Sequence, residues 1–263
     1  MGHPRTIRMK ADMIDNMDYN KILAMYQDRY KDASDFTFIL VGNVDVESMK
    51  PLIAEYLGAL PAINRKESFK DNKIEYRKGV YKNEFVREQE KASNFVSFIG
   101  TCKYDLKNSI LQDMTCQIMD LVYTEKVRED EGGTYGVYVG GNLSKYPKEI
   151  AGIQIVFDTA PSKREKLMKI IFAEIERISK EGPSEANLNK VKEFMLKKHA
   201  EDLKENSYWM ESIDEYLFTG MNPIKDYEQT VNSITAKDIQ KFADDLFKQK
   251  NEVEVSMISP DKE

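Results

Sequence analysis

The chain has 263 residues, of which 41% are hydrophobic and 32% are charged, a balance typical of a globular chain that is long enough to bury a sizeable core. Lys and Arg number 39 against 45 Asp and Glu, a net charge of −6, and proteins that bind nucleic acid usually carry a basic surplus instead, so we expect no nucleic-acid partner. No stretch approaches the roughly 18 apolar residues of a transmembrane helix, and the start MGHPR lacks the apolar core of a signal peptide, so we expect no membrane partner either.

The first 34 residues predict a short helix that leads into a domain. Tyr19, Ile22 and Tyr26 recur at the spacing of one helical face. We therefore assign residues 1–34 to a linker or helical lead-in. Residues 35–263 show no break in composition and are assigned to one domain.

The segment FTFILVG, residues 36–42, predicts a strand that is buried on both faces. It is short, rich in β-branched and aromatic residues, and stops at a glycine. Asp45 then predicts the N-cap of a helix over residues 46–57, which ends at Gly58.

The middle of the chain predicts four strands and one long helix. The strands fall near residues 79–88, 93–101, 134–143 and 150–158, and the helix over residues 106–129. Asp105 can cap the helix. Because only a short turn-rich segment separates the last two strands, we expect them to pair as antiparallel neighbours.

The remainder of the chain is predicted to be mostly helical and to end in a strand. Capping residues mark the helix starts: Ser162 with Glu165, Ser184, and Thr235 with Asp238. Arg164 is expected on the exposed side of its helix. The final run VEVSMI, residues 253–258, alternates like a closing strand. This order of elements predicts one α+β domain in which helices pack on one face of a mostly antiparallel sheet.

Most catalytic signatures are absent, including nucleotide-binding glycine loops and the serine-hydrolase elbow. Histidine occurs only at positions 3 and 199. A helical zinc pair needs a second ligand four residues away, and Met195 and Leu203 fill those positions around His199. We therefore expect His199 to be a packed side chain, and no metal or other cofactor to be held by this chain.

The two cysteines, Cys102 and Cys116, show neither a redox nor a zinc spacing. We expect two buried free thiols. A disulfide between them is the alternative.

The segment VREDEGGTYGV, residues 127–137, is the candidate site. Arg128 ends the long helix, two glycines reverse the chain, and Tyr135 opens a strand, so a guanidinium and a phenol could donate hydrogen bonds to the same carbonyl oxygen. Gly136, Gly140 and Gly141 are expected to leave one side of this strand bare. The alternative is structural, because a cation suits the C-terminus of a helix and a tyrosine is common at the start of a strand.

With these residues the chain resembles the pitrilysin and insulin-degrading-enzyme family of zinc peptidases, the inverzincins. The resemblance rests on FTFILVGNVD at residues 36–45, on the helix and the segment GALP that follow, and on the seven-residue spacing from Arg128 to Tyr135. It extends from about residue 18 to the C-terminus. It implies the repeated domain of the mitochondrial-processing-peptidase-like metallohydrolases, and specifically the final, C-terminal domain of a bacterial-type member.

The resemblance also implies a function. The parent protein would be a bipartite zinc metalloendopeptidase whose N-terminal half, or a partner subunit, holds zinc on an H-x-x-E-H helix. Arg128 and Tyr135 would contact the carbonyl or oxyanion of a peptide substrate across a closed chamber. This chain lacks H-x-x-E-H, so alone it is expected to be inactive.

Two other interpretations stay open. The chain could be a non-catalytic scaffold or partner subunit of the same family, or an unrelated α+β binding domain. An H-x-x-E-H motif encoded upstream or in a neighbouring subunit would separate the first interpretation from the scaffold. The compartment, bacterial periplasm or cytoplasm, is not predicted.

Overall fold

The structure of the protein, a computed structural model, describes residues 7–131 and 134–259, and the side chains of residues 127–131 and 134–135 lie outside this description. The chain divides into two compact units. The first comprises the chain up to Glu75 together with Asn206–Asp214, and the second comprises Tyr76–Glu205 together with the chain from Glu215 onward.

The first unit is helical and leaves most of its apolar side chains exposed. Its helices are α1 (Ala11–Asp15), α2 (Tyr19–Tyr30) and α3 (Val46–Leu52), and a single π-helical turn, Ile53–Leu57, continues α3. Asp18 caps α2 by accepting hydrogen bonds from two backbone amides. Asp45 caps α3 as predicted, accepting from the Ser48 amide at 2.8 Å.

A buried carboxylate fixes the connection that follows α2. Asp32 is 3% exposed and accepts hydrogen bonds from the Ser34 hydroxyl at 2.6 Å and from the amides of Ile63 and Arg65 at 3.0 and 2.7 Å. These donors hold the pKa of Asp32 well below its usual range. The Asp32 carboxylate therefore links the loop after α2 to backbone amides that lie 31 and 33 residues further along the chain.

The second unit contains a five-stranded sheet. Its strands are β1 (Val80–Val86), β2 (Ala92–Thr101), β3 (Thr134–Ser144), β4 (Ile150–Thr159) and β5 (Glu252–Ile258), in the order β1-β5-β2-β4-β3. Only β1 and β5 are parallel. The α+β prediction is confirmed, as are the antiparallel β3–β4 pair and the place of the C-terminal strand in this sheet.

One face of the sheet carries the core. The helices of the second half are α4 (Leu106–Glu131), α5 (Arg164–Glu181), α6 (Glu185–Asp202), α7 (Asn206–Thr219), α8 (Tyr227–Ser233) and α9 (Ala236–Phe247). Side chains of α4, α5, α6 and α9 pack with the inward positions of β2, β3 and β4 in a single cluster. On β4, for example, Ile153, Ile155 and Phe157 are buried, whereas Val156, which lies between Ile155 and Phe157, is 39% exposed.

Residues 36–42 do not form the predicted strand. This stretch has no regular secondary structure and pairs with none of the described strands. Phe36, Phe38 and Leu40 are 37%, 49% and 53% exposed. The prediction is wrong for this sheet. An apolar, β-branched sequence indicates that a segment can form a buried strand, but it does not determine which strand the segment pairs with.

The capping predictions succeed where the cap directly precedes the helix. Ser184 caps α6, and Thr235 with Asp238 forms the capping box of α9. Ser162 does not cap α5, since Pro161 starts a 3₁₀ turn that contains it and α5 begins only at residue 164. Helix α8, whose N-terminus has no capping side chain, was not predicted.

Arg164 is not on the exposed side of α5. Its side chain is 15% exposed and pairs with Glu84 at 2.8 Å. Its guanidinium also donates hydrogen bonds to Asn94 and Ser256, both at 3.0 Å. The prediction is wrong because side chains in the first turn of a helix point back toward its N-terminus, which here carries the guanidinium over the buried polar positions of β2 and β5.

A charged cluster joins α4 to α5. Glu174 is 1% exposed and accepts hydrogen bonds from Lys126 at 2.8 Å and from Arg177 at 2.9 Å. Burial alone raises the pKa of Glu174, but the hydrogen bonds from Arg177 and Lys126 outweigh it, so the pKa lies below its ordinary value. The Tyr123 hydroxyl, also between these helices, donates to the Ile171 carbonyl at 3.0 Å.

We expect Glu174→Gln to lower the free energy of unfolding by about 2 kcal/mol at neutral pH, because the amide cannot replace two charge-assisted hydrogen bonds. The contribution of a carboxylate with a lowered pKa is present above its ordinary pKa and disappears as the pH falls through the folded-state pKa. Denaturant titrations of the two proteins should therefore converge in acid. The control is Glu176→Gln, two residues along α5, where the side chain is 65% exposed and the expected effect is negligible; equal losses in both variants would contradict the assignment.

Candidate functional site

The candidate site lies where α4 gives way to β3. α4 continues to Glu131 and β3 begins at Thr134, so the predicted helix, turn and strand are all present. Arg128 belongs to the last turn of α4 and Tyr135 is the second residue of β3. Their side chains lie outside the described residues, so the meeting of guanidinium and phenol stays a prediction.

The start of β3 is irregular in a way that bears on Tyr135. Thr134 pairs with Thr159 and Val137 with Phe157, so three steps on β3 face two steps on β4, with the irregularity between Thr134 and Val137. Gly136 in this bulge has a φ of +132°, a value that L-residues with a side chain rarely adopt. Bulges re-aim side chains and are over-represented beside active sites, and this one contains Tyr135.

The other two glycines of β3 do not leave a bare surface. A Cβ at Gly140 would overlap the hydroxyl of Tyr138, and one at Gly141 would lie 2.6 Å from the Gly152 carbonyl oxygen and 2.7 Å from the Gln112 amide. The prediction of a bare side is wrong for these two positions. They are small because a tyrosine ring, a neighbouring strand and α4 already fill the space beside them.

The outward face of the sheet is partly apolar and carries none of the core cluster of the described residues. Its larger apolar side chains, all paired across strands on the same face, are Tyr81, Phe85, Phe95, Ile99, Tyr138, Val156, Val253, Val255 and Met257. Phe85, Tyr138 and Met257 are 51%, 59% and 47% exposed. Such a mixed face can contact an extended apolar chain.

A cavity of about 470 Å³ lies between α4, α6 and the edge strand β3. It is lined by Gln117, Asp120, Leu121, Tyr138, Val139, Lys190, Val191 and Phe194. Asp120 accepts a hydrogen bond from the backbone amide of Val139 at 3.3 Å. Tyr138 and Phe194, both more than half exposed, were not predicted as candidate site residues. The alternation of β3, which turns Tyr138 away from Val137 and Val139, could have identified Tyr138.

A second cavity, of about 620 Å³, lies where β2 leads to α4 and contains charges of both signs. Lys107 pairs with Asp238 at 2.7 Å, and Lys241 with Asp245 at 2.6 Å. Cys102 lines this cavity, and burial, assisted by Asp105, raises the pKa of its thiol to about 11. A thiol with this pKa is a weak nucleophile at neutral pH. Cys102 and Cys116 are both free, which excludes the disulfide; Cys116 is buried as expected, whereas Cys102 is only partly buried.

His199 is 5% exposed, and its ring stacks on that of Tyr227 with the centroids 4.2 Å apart. The prediction of a packed histidine is confirmed. Across residues 7–131 and 134–259 there is no group of three or more His, Cys, Asp or Glu side chains placed to hold a metal ion. The same ranges contain no helix that combines the length and the apolar character needed to span a bilayer.

Comparison with known proteins gives one family. Residues 16–195 match the family described as peptidase M16 inactive domain. A curated relative, a zinc protease PQQL-like protein of Arabidopsis thaliana, is 26% identical over 213 residues, which cover 75% of this chain and 22% of the relative.

Solved structures share the fold at low sequence identity. The periplasmic protease PqqL of Escherichia coli matches with a TM-score of 0.81 and 14% identity over 97% of this chain and 29% of that chain. The first half of the same protease, solved separately, matches with a TM-score of 0.73 and 14% identity over 95% of this chain and 56% of that chain. The chain thus spans less than a third of PqqL and of the plant relative.

Gly136 offers a direct test of the bulge. No atom of the described residues lies within 4 Å of a Cβ placed at Gly136, so Gly136→Ala should destabilise through backbone strain, by about 1–3 kcal/mol. The matched control is Gly152→Ala on β4, where φ is ordinary and the nearest atom is 3.4 Å from the added Cβ; its free energy of unfolding should change little. Equal stability of the two variants in denaturant titrations would mean that residue 136 does not need the left-handed backbone.

Proposed function

The chain belongs to the peptidase M16 family, in the domain that its family description calls inactive, and from this premise we propose that it is the substrate-binding, non-zinc-bearing domain of a bipartite zinc metalloendopeptidase. The domain supplies one wall of a chamber, and the zinc belongs to another domain of the same protein or to a partner subunit. The observation that carries the proposal is the helix, bulge and strand that bear Arg128 and Tyr135.

The outward face of the sheet supports the proposed role in peptide binding. Helices bury the inward face, whereas the outward face exposes aromatic and aliphatic side chains such as Phe85, Tyr138 and Met257. Small polar residues, among them Asn83 and Ser97, are interspersed with them. A peptide has both a polar backbone and apolar side chains, and such a surface complements it without demanding one sequence.

The bulge at the start of β3 supports the proposed role of the pair. Hydrolysis of a peptide bond develops negative charge on the carbonyl oxygen, and preorganised donors lower the barrier most where that charge appears. A guanidinium offers a planar fork of donors and a phenol offers one more. A strained backbone beside Tyr135 is the kind of feature that fixes the direction of one side chain.

This chain does not fit a catalytic zinc ion. His199 is buried against Tyr227, and the positions four residues away on either side are Met195 and Leu203. We therefore assign no step of the metal chemistry to this chain. Its own part in the proposed reaction is to bind the peptide, to orient the scissile carbonyl and to help exclude water when the chamber closes.

A non-catalytic scaffold or partner subunit of the same family is the second candidate. The match to a domain described as inactive supports this candidate as well as it supports the peptidase domain. The two candidates differ outside this chain. A parent protein or neighbouring subunit with an H-x-x-E-H helix supports the peptidase, and a complete complex without one supports the scaffold.

The isolated chain should bind no stoichiometric zinc and should cleave no peptide. The reason is the packing of its only described histidine together with the absence of H-x-x-E-H from the sequence. Metal analysis after purification without chelators, combined with a fluorogenic peptide assay, measures both properties. One tightly bound zinc per chain with chelator-sensitive hydrolysis would overturn the assignment.

Tyr135→Phe in the complete peptidase should lower kcat/KM by about 10²–10³, the usual effect of losing one preorganised donor to an oxyanion. The thermal midpoint should stay nearly unchanged, because only a hydroxyl is removed. Arg128→Lys should also reduce turnover strongly, since an ammonium group cannot reproduce a planar fork of donors.

Matched controls separate this effect from general damage. Tyr146→Phe removes a hydroxyl from a half-exposed tyrosine beyond the opposite end of β3 while keeping its ring contact with Phe218. Arg8→Lys makes the same exchange at an exposed position. Both controls should retain activity; if Tyr135→Phe matches them on several peptides, the Arg128–Tyr135 pair is structural.

A further inference from the structure

Residues 18–42 and 235–259 share one pattern, with corresponding residue numbers differing by 217 (235 − 18). α2 and α9 each contain 12 residues, and both ends of the two helices obey this offset. Asp18 and Thr235, the N-caps of the two helices, correspond as well. The agreement needs no insertion or deletion over 25 positions (42 − 18 + 1).

The apolar positions correspond in both the helix and the segment after it. The pairs are Ile22 with Ile239, Met25 with Phe242, Tyr30 with Phe247, Phe36 with Val253, Phe38 with Val255, and Leu40 with Met257. In the C-terminal copy this segment is β5. The N-terminal segment, residues 36–41, therefore has the sequence pattern of an interior strand, as its β-branched and aromatic composition also indicates.

The two copies differ in what covers them. Ile239 and Phe242 in α9 are 0% and 6% exposed, whereas their counterparts Ile22 and Met25 in α2 are 50% and 70% exposed. No residue of α2 is buried. β5 has a paired strand on each side, and residues 36–41 pair with none of the described strands.

Residues 36–41 are apolar on both faces. By correspondence with β5, Phe36, Phe38 and Leu40 take the outward positions, and Ile39 and Val41 take helix-facing ones. A strand with apolar side chains on both faces is stable only where both faces are covered. The segment thus has the composition of a central strand while its aromatic side chains are exposed.

We infer that residues 18–42 are the closing helix and strand of a neighbouring domain of the same fold, outside this chain. Residues 36–41 would lie between two strands of that domain, parallel to one and antiparallel to the other, as β5 lies between β1 and β2. Residue 34 then lies inside this helix-and-strand unit, so it is not the boundary between the two domains.

Two observations favour pairing of the segment with a neighbouring domain of the same fold over pairing with a second copy of this chain. In a second copy, β5 already occupies the position between β1 and β2. The chain also spans less than a third of PqqL and of the plant relative, and the first half of PqqL, solved separately, itself contains this fold. The inference does not depend on Arg128, Tyr135 or peptide hydrolysis.

Hydrogen–deuterium exchange tests the inference, by comparing the isolated chain with the same chain in its complete protein, co-expressed with the neighbouring subunit if that is a separate polypeptide. The amides of residues 37–41 should exchange fast in the isolated chain and at least about 100-fold more slowly in the complete protein. The amides of β5 should be protected in both samples and serve as the internal control.

Three results would overturn the inference. Fast exchange at residues 37–41 in the complete protein would show that the segment is unpaired there. Protection in the isolated monomer would place it in this chain's own sheet, and protection that grows with concentration would show pairing between two copies.

A pair of corresponding variants makes a second test. In the isolated chain, Phe242→Ala should lower the thermal midpoint and Met25→Ala should leave it unchanged, because only Phe242 is buried there. In the complete protein, Met25→Ala should increase exchange at residues 37–41. A Met25→Ala variant that destabilises the isolated chain, or leaves exchange in the complete protein unaltered, would contradict the inference even if Phe242→Ala fails to fold.

Discussion

The alternation of side chains across registered strands is the constraint on which the rest of this structure depends. Val96 pairs with Ile155 and Phe98 with Ile153, which places all four side chains on the face covered by helices. A slip of one residue would turn these side chains outward. The helices of the core therefore cover only the face on which these side chains lie.

Local patterns predicted the elements that local interactions determine. Asp45, Ser184 and Thr235 each accept hydrogen bonds from amides within three residues, so their role as helix caps can be read from the sequence. β2 alternates buried and half-buried residues along its length, and the hairpin of β3 and β4 follows from a short connection. The fold class follows from the order of these elements.

Predictions failed where a distant part of the chain decides the outcome. Arg164 looked exposed because its partners, Asn94 and Ser256, lie 70 and 92 residues away in sequence. Residues 36–42 were predicted to be a buried strand because they have the composition of one, but composition does not determine which sheet a segment joins. For the candidate site, the backbone of the α4–β3 turn was predictable, whereas the bulge at Gly136 depends on the register with β4.

The position of β5 explains why domain boundaries in this chain are hard to read from sequence. β5 comes last in the described chain, yet it lies between β1 and β2, and Val80 pairs with Glu252 across 172 residues. The sheet cannot acquire its observed order until the final strand is present, so the two ends of the second unit's sequence meet inside one sheet. If residues 18–42 close a neighbouring sheet in the same way, the last strand of one domain is followed by α3, and β1 of the next sheet begins 38 residues later (80 − 42). A division of the sequence by composition would then cut through a helix-and-strand unit, as the boundary at residue 34 does.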